Sequence, residues 1–162
     1  MKLEDILKQK KKMYIVGDDD NDHNFDILIV LTTVESCWIK GHAFSWAGGG
    51  GGDMPKNIYL QYISEFQIGW DACSHFYFTG EDSLIKEEPD QYYHVCGIYC
   101  YSVMIDTYLA LIQIAKSLFT QPHQLENFVS PYTDALLEVF NKNNHIKEID
   151  GSEYSFHEWD NM

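Results

Sequence analysis

Basic residues are scarce in this chain. Its 162 residues include 11 Lys plus Arg against 25 Asp plus Glu, so the formal net charge is −14 at pH 7. A charge of this sign repels nucleic acids and anionic membrane surfaces, and the sequence therefore argues against both as partners. The one basic cluster lies near the N-terminus and consists of Lys8, Lys10, Lys11 and Lys12. We interpret it as the solvated side of a short amphipathic helix that begins at Leu3.

Cysteine is also sparse, and the four residues are scattered: Cys37, Cys73, Cys96 and Cys100. This number and spacing do not fit the disulfide framework of a small secreted domain. The N-terminal residues carry charges throughout and contain no apolar segment of the kind found in signal peptides. We therefore expect a cytoplasmic protein with reduced thiols.

The longest apolar run, residues 92–119, is not free of charge. It contains Asp106 and Lys116, and a charge at the middle of a bilayer costs about 2.5–3.5 kcal/mol. We therefore predict a helix buried inside the protein rather than one that crosses a membrane. Because this run is apolar on nearly every side at helical spacing, we expect other elements to enclose it.

Three segments near the N-terminus are predicted to be strands. Residues 13–16 and the β-branched run 25–34 are separated by a polar turn and can pair as a hairpin. Residues 37–46 alternate in polarity and give a third strand. The five glycines of 48–52 are expected to end it, because ordering glycine has the largest backbone entropy cost.

The segment 58–70 fits two periodicities. Asp53 and Pro55 precede it as a helix-start signal, so we favour a helix with Tyr59, Tyr62 and Phe66 on one face. A strand with Ile58, Leu60 and Tyr62 on one face is the alternative.

The second half of the chain alternates between predicted elements and polar loops. Residues 71–79 are predicted to be a strand, 80–91 an acidic loop, and 130–144 a helix that begins at a Ser-Pro pair. The fold class predicted is α+β, with an antiparallel sheet of about three to five strands packed on a long central helix (about 92–119) and additional shorter helices. We expect residues 1–150 to form a single domain, and 151–162 an acidic, aromatic C-terminal tail that is either loose or a short edge element.

One cluster has the spacing of a metal site. Asp71, Cys73 and His75 lie at i, i+2 and i+4, so on a strand they point to one side. His94 could supply a fourth ligand for zinc or another divalent cation. The same residues also allow a cysteine nucleophile, with a histidine of this cluster or His42 as the base. No Cys-x-x-Cys or His-Glu-x-x-His motif accompanies them, and the commoner role of such residues is structural.

Two other segments resemble ligand-binding loops without satisfying a motif. The alternation of Asp18, Asp20, Asp22 and Asn24 resembles the start of a calcium loop, but His23 stands where the turn needs glycine. A solvated turn is the simpler interpretation, and a magnesium or calcium site completed by Asp26 or a distant carboxylate is the alternative. A phosphate-binding loop would use Gly48, Gly49, Gly50, Gly51, Gly52 and Asp53, although neither a P-loop nor a Rossmann spacing is present.

Strong negative charge combined with many aromatic residues favours a binding role over catalysis. Aromatic side chains anchor protein interfaces, and a negative field accelerates association with a basic partner. We therefore predict a small protein-binding inhibitor or immunity/anti-defence type protein, of phage or mobile-element origin, that blocks a basic site on another protein without a cofactor. The residues expected to bind are Glu81, Asp82, Glu87, Glu88, Asp90, Tyr154 and Trp159. The alternative is a small metal-dependent enzyme or nucleotide-binding protein that uses the 71–75 cluster, His94 and the glycine loop.

Overall fold

The computed structural model describes residues 2–18, 26–49, 57–70, 76–79, 98–121 and 131–159. In chain order, its elements are α1 (Leu3–Lys8), β1 (Lys12–Asp18), β2 (Ile27–Val34), β3 (Trp38–Gly49), β4 (Asn57–Trp70), β5 (Phe76–Thr79), α2 (Ile98–Leu118), α3 (Pro131–Asn143), β6 (Asn144–Ile149) and β7 (Ser155–Glu158).

A seven-stranded, mixed and curled sheet organises these elements. Its strands follow the order β5-β4-β3-β2-β1-β6, and β7 lies off this path beside β4. Strands β1 to β5 form an antiparallel meander, and β6 adds antiparallel to β1. Only β7 pairs in parallel, and it lies beside the first four residues of β4, whereas β5 lies beside the last four. The outer edge of β4 therefore carries a different strand at each end.

Strand β2 is buried on both of its faces, which explains its unbroken apolar sequence. Ile27, Ile29 and Leu31 pack in a first core together with α2 and α3. Leu28 and Val30 point to the opposite side and pack in a second core with α1. None of these five side chains exposes more than 1 % of its surface. Helices on both sides of the sheet thus cover a strand that has no polar face.

The approach of β2 to β3 depends on a residue without a side chain. A Cβ atom placed on Gly41 would lie 2.2 Å from the carbonyl oxygen of Val30, which is far inside contact distance. Just beyond this point the register shifts between Leu31 and Thr33. Glycine at position 41 therefore lets the two strands pair closely beside a bulge.

The predicted fold class is wrong, because the sheet and not a helix organises the molecule. The prediction was an antiparallel sheet of about three to five strands packed on a central helix over 92–119. The sheet has seven strands and is mixed, and the helix that the structure describes, α2, lies against one of its faces. Residues 92–97 lie outside the described part. The prediction failed because it did not place β4, β6 and β7 in one sheet with β1 to β3.

Strand β4 corrects the preference for a helix at 58–70. It is a 14-residue strand that pairs with β3 over most of its length. Ile58 and Leu60 face the second core, whereas Phe66 and Ile68 face the first core. Register shifts in the β3–β4 ladder separate the two pairs. This change of face disguised the alternation and gave the segment its apparent helical period.

Other local predictions agree with the structure. The hairpin of residues 13–16 and 25–34 is confirmed as β1 and β2, and the third strand is confirmed as β3. The helix predicted over 130–144 is confirmed as α3 over Pro131–Asn143, and Asn144 begins β6. Strand β3 extends through Gly49, further than the glycine run suggested. In the tail, residues 155–158 form the edge strand β7, which was one of the two predicted alternatives.

Candidate functional site

Most residues of the predicted sites lie outside the described part of the chain. These are the acidic loop residues Glu81, Asp82, Glu87, Glu88 and Asp90, the cluster Asp71, Cys73, His75 and His94, and Gly50, Gly51, Gly52 and Asp53. Gly48 and Gly49 end β3 opposite Tyr59 and Ile58. Within the described ranges, no group of three or more His, Cys, Asp or Glu side chains could hold a metal ion. Of the residues predicted to bind a partner, the structure describes Tyr154 and Trp159.

Trp159 belongs to an aromatic cluster at the edge of the sheet, formed with Tyr59 of β4 and His157 of β7. The His157 ring stacks on Tyr59 with 5.2 Å between centroids, and Trp159 meets Tyr59 edge to face at 6.3 Å. Parallel pairing brings this about, because it places His157 directly beside Tyr59. Tyr59 and Trp159 nevertheless expose 39 % and 47 % of their surfaces. The cluster is therefore an ordered aromatic surface that faces solvent.

Polar contacts hold His157 within this cluster. Its Nε2 atom lies 3.1 Å from Oδ1 of Asn57 and 3.0 Å from the Ser155 hydroxyl oxygen. Because an amide oxygen only accepts hydrogen bonds, Nε2 carries the proton and donates to Asn57. This bond joins the side chains of β7 and β4 in addition to their backbones. The imidazole ring is thereby fixed under the Tyr59 ring.

The opposite side of β7 faces the protein interior. Phe156 and Tyr154 stack with 5.5 Å between ring centroids, and both pack against the second core. Glu158 points to the same side, where its carboxylate accepts a hydrogen bond from the backbone N–H of Leu3 at the start of α1. Tyr154 is only half exposed, so it has a structural role in addition to any role in binding.

A groove of about 430 Å³ lies between α1 and β7. Side chains from α1 and from both sides of β7 line it, namely Lys2, Leu3, Glu4, Leu7, Tyr59, Phe156, His157 and Glu158. Leu3, Leu7 and Phe156 supply apolar groups, and Lys2, Glu4 and Glu158 supply charged ones of both signs. We call this feature the α1–β7 groove.

A second polar contact lies further along β4. The Nδ1 atom of buried His42 is 2.8 Å from the hydroxyl oxygen of Tyr62, whose ring also packs edge to face on Phe44. Burial lowers the pKa of His42 below its ordinary value of 6.5, and the charge of Glu65 opposes this shift only in part. The imidazole is therefore neutral at pH 7, and Nδ1 can accept the Tyr62 proton. Tyr62 itself remains 45 % exposed.

Two carboxyl groups, Asp106 on α2 and Asp26 just before β2, interact electrostatically. Burial on α2 and, to a lesser extent, the charge of Asp26 raise the pKa of Asp106 to about 6. Asp106 is thus a distant carboxylate of the kind that the cation hypothesis required. Asp20, Asp22 and Asn24 lie outside the described residues, so the hypothesis stays a prediction.

The sequence analysis missed Tyr59, Tyr62 and His157 as surface residues. Assigning 58–70 to a helix placed both tyrosines on an apolar helix face. The available signal was the alternation of Ile58 and Leu60 with the residues between them, which at strand spacing puts Tyr59 on the opposite side. No local pattern could have found His157, because its position depends on the pairing of β7 with β4.

Comparisons with protein-family models, with curated proteins and with solved structures gave no significant match to this chain. Among the helices that the structure describes, none combines the length and apolarity needed to cross a membrane.

Proposed function

We propose that this chain is a protein-binding module that blocks a basic site on a partner protein, as inhibitors and immunity or anti-defence proteins do. One observation carries the proposal: two of the four described side chains that are large, hydrophobic and exposed, Tyr59 and Trp159, meet edge to face at the sheet edge with 6.3 Å between ring centroids. Tyr62, also exposed on β4, packs on Phe44 and lies on the opposite side of the strand from Tyr59. Ordered, exposed aromatic rings are the side chains most often found as interface anchors.

The charge of the chain defines the chemistry of the partner. A net charge of −14 attracts a basic surface and raises the association rate with it. The acidic loop residues Glu81, Asp82, Glu87, Glu88 and Asp90 contribute to this field wherever they lie.

We propose a cytoplasmic setting, in which thiols such as that of Cys37 remain reduced.

The first test measures association with a partner captured from the source cells. We expect the association rate to fall at least tenfold between low and high salt, because screening at physiological ionic strength acts over about 8 Å. Replacing Glu81, Asp82, Glu87, Glu88 and Asp90 by Gln or Asn is expected to slow association without lowering stability. A partner whose association ignores both salt and these substitutions would contradict electrostatic capture.

The second test concerns the aromatic anchor. Trp159→Ala is expected to raise the dissociation rate by about 30-fold, the equivalent of a hot spot of about 2 kcal/mol. Val139→Ala is the matched control, because Val139 is also an exposed hydrophobic residue, at 59 %, but lies on α3. Equal dissociation rates for the two variants would exclude Trp159 as an anchor.

The alternative, a metal-dependent enzyme or nucleotide-binding protein, depends on residues 71–75, His94 and the glycine loop. If it holds, zinc should co-purify at about one ion per chain, and a chelator should lower the melting temperature through lost binding energy. Elemental analysis of the purified protein distinguishes it from the inhibitor hypothesis.

A further inference from the structure

Strand β7 presents backbone hydrogen-bonding groups on its outer side. The N–H of Trp159 donates to the carbonyl oxygen of Leu60 at 2.7 Å, so the backbone groups of residue 159 point toward β4. Because successive residues of a strand direct these groups to opposite sides, those of Phe156 and Glu158 point away from β4. Among the described strands, β4 is the one that pairs with β7.

The outer side of β7 is open to solvent. Ser155, His157, Glu158 and Trp159 are all exposed, and Phe156 is partly exposed. The α1–β7 groove is lined by residues from both sides of the strand, so it reaches around this edge. An added chain would therefore find space and outward backbone groups that bond to no other described residue.

The two sides of this edge offer different side-chain environments. On the α1 side, Leu3, Leu7 and Phe156 form apolar surface in the groove. On the other side, Tyr59 and Trp159 present exposed rings, which attract cations through their faces. Successive side chains of an added strand point alternately to these two sides.

We propose that the partner binds by adding an extended segment as a strand to the outer edge of β7, with apolar side chains toward α1 and Lys or Arg side chains over Tyr59 and Trp159. This inference rests on the proposed function for the basic character of the partner. Charge complementarity selects this occupant, because the chain carries −14 overall. Lys2, Glu4 and Glu158 all line the groove. Strand addition is a common mode of peptide capture in which the backbone supplies affinity and side-chain pockets supply specificity.

The probe for this proposal is a capped eight-residue peptide of alternating Arg and Val, with an alternating Glu and Val peptide as the control. Amide hydrogen exchange of the ¹⁵N-labelled protein is followed by NMR with and without each peptide. We expect the Arg/Val peptide to slow exchange at the amides of Phe156 and Glu158 at least tenfold. The amides of His157 and Trp159, which face β4, should already be protected in the free protein. Absence of binding, or binding without protection of the two outward amides, would overturn the proposal.

A pair of variants distinguishes the contribution of the Glu158 backbone N–H to peptide binding from that of the Glu158 side chain. Glu158→Pro and Glu158→Ala both remove the carboxylate that accepts from Leu3, but only proline also removes the outward N–H. We expect Glu158→Pro to bind the Arg/Val peptide at least tenfold more weakly than Glu158→Ala. Equal affinities would rule out strand addition at β7. Circular dichroism and the melting temperature confirm that both variants fold.

Two further outcomes distinguish this inference from the proposed function. If a captured basic partner binds Glu158→Pro and Glu158→Ala equally well and with strong salt dependence, the inhibitor function is supported and strand addition is excluded. If the Arg/Val peptide adds to β7 but no basic partner shows salt-dependent association, strand addition is supported and the inhibitor function is excluded. Concentration-dependent protection of Phe156 and Glu158 without peptide, together with a dimer in analytical ultracentrifugation, would assign the edge to a second copy of this chain and overturn the proposal.

Discussion

Asp106 is a carboxyl group placed on the largely apolar helix α2. Its pKa is raised to about 6 by burial and by Asp26, whereas the ordinary value is 3.8. Between these two pH values the folded protein holds a proton that the unfolded chain has released. Stability therefore falls as pH rises from about 4 to 6, and it stays lower at neutral pH.

We predict that Asp106→Asn removes this loss and stabilises the protein at pH 7. One pKa unit corresponds to about 1.4 kcal/mol, but solvent screens a partly exposed carboxyl, so we expect about 1 kcal/mol. Urea denaturation at several pH values between 4 and 7 measures the effect. Asp134→Asn, on the exposed side of α3, is the control and should change little. A loss of stability at pH 7 on Asp106→Asn would instead indicate that the charged carboxylate is bound, for example to a cation.

Tyr62 contributes to stability through its hydrogen bond to the buried Nδ1 atom of His42. Tyr62→Phe would leave Nδ1 of His42 without the 2.8 Å hydrogen bond in a site that exposes only 4 % of the histidine. An unsatisfied buried polar atom costs about 1–3 kcal/mol, and we expect a loss in this range by chemical denaturation at pH 7. Tyr59→Phe is the matched control on the same strand, because Tyr59 contacts the exposed cluster through its ring, which phenylalanine keeps. Similar losses of stability for the two variants would show that the hydrogen bond to His42 does not stabilise the protein.

The lowered pKa of His42 adds a pH dependence of opposite sign to that of Asp106. The unfolded chain takes up a proton at this histidine below pH 6.5, whereas the folded protein resists it. Stability that depends on the neutral ring is therefore present above pH 6.5 and is lost as pH falls. Neither effect is visible in the sequence, since both depend on what surrounds the side chain.

The helix α2 remains a critical element, although the fold is not organised around it. Leu109 exposes 2 % of its surface within the first core. Leu109→Asp would bury an unpaired charge, and we expect a loss of more than about 4 kcal/mol, a large part of the stability of a typical domain. Val139→Asp places the same charge on an exposed residue of α3 and should cost less than about 1 kcal/mol. Thermal unfolding followed by circular dichroism compares them, and a native melting temperature for Leu109→Asp would contradict this burial.

Elements that pair with sequence neighbours were predictable, and elements that pair over long distances were not. The β1–β2 hairpin follows from two apolar runs around a polar turn, and α3 follows from its Ser-Pro start. Strand β6 pairs with β1 and β7 pairs with β4 across most of the chain, and no local pattern specifies such partners. The change of buried face within β4 has a different origin, because the bulges that cause it belong to the pairing of β4 with its sequence neighbour β3.

The excess negative charge acts on the whole molecule. Among the described residues, Lys12 pairs with Glu148 at 3.1 Å and Lys40 with Glu65 at 3.2 Å, both near the surface. Such exposed pairs contribute little, whereas the repulsion among the remaining carboxylates disfavours the compact state. We predict that adding NaCl at pH 7 raises the melting temperature by several degrees, because salt screens this repulsion. Near the sequence isoelectric point of about 4.6, the same addition should have little effect. A salt effect of equal size at both pH values would point to a cause other than charge.

The pairing of β7 with β4 also determines when the candidate binding surface comes into existence. On a ribosome, β1 to β4 emerge first and can pair with their neighbours, but the outer edge of residues 57–60 stays open until residues 155–158 have been made. Only then can the Glu158 carboxylate meet the N–H of Leu3, a contact that joins residues 155 positions apart. The nascent chain thus carries an unpaired, aromatic strand edge until β7 has been made, the kind of surface at which chains aggregate or bind chaperones. The α1–β7 groove forms only after β7 has been made, so a partner present during translation would first meet the bare edge of β4.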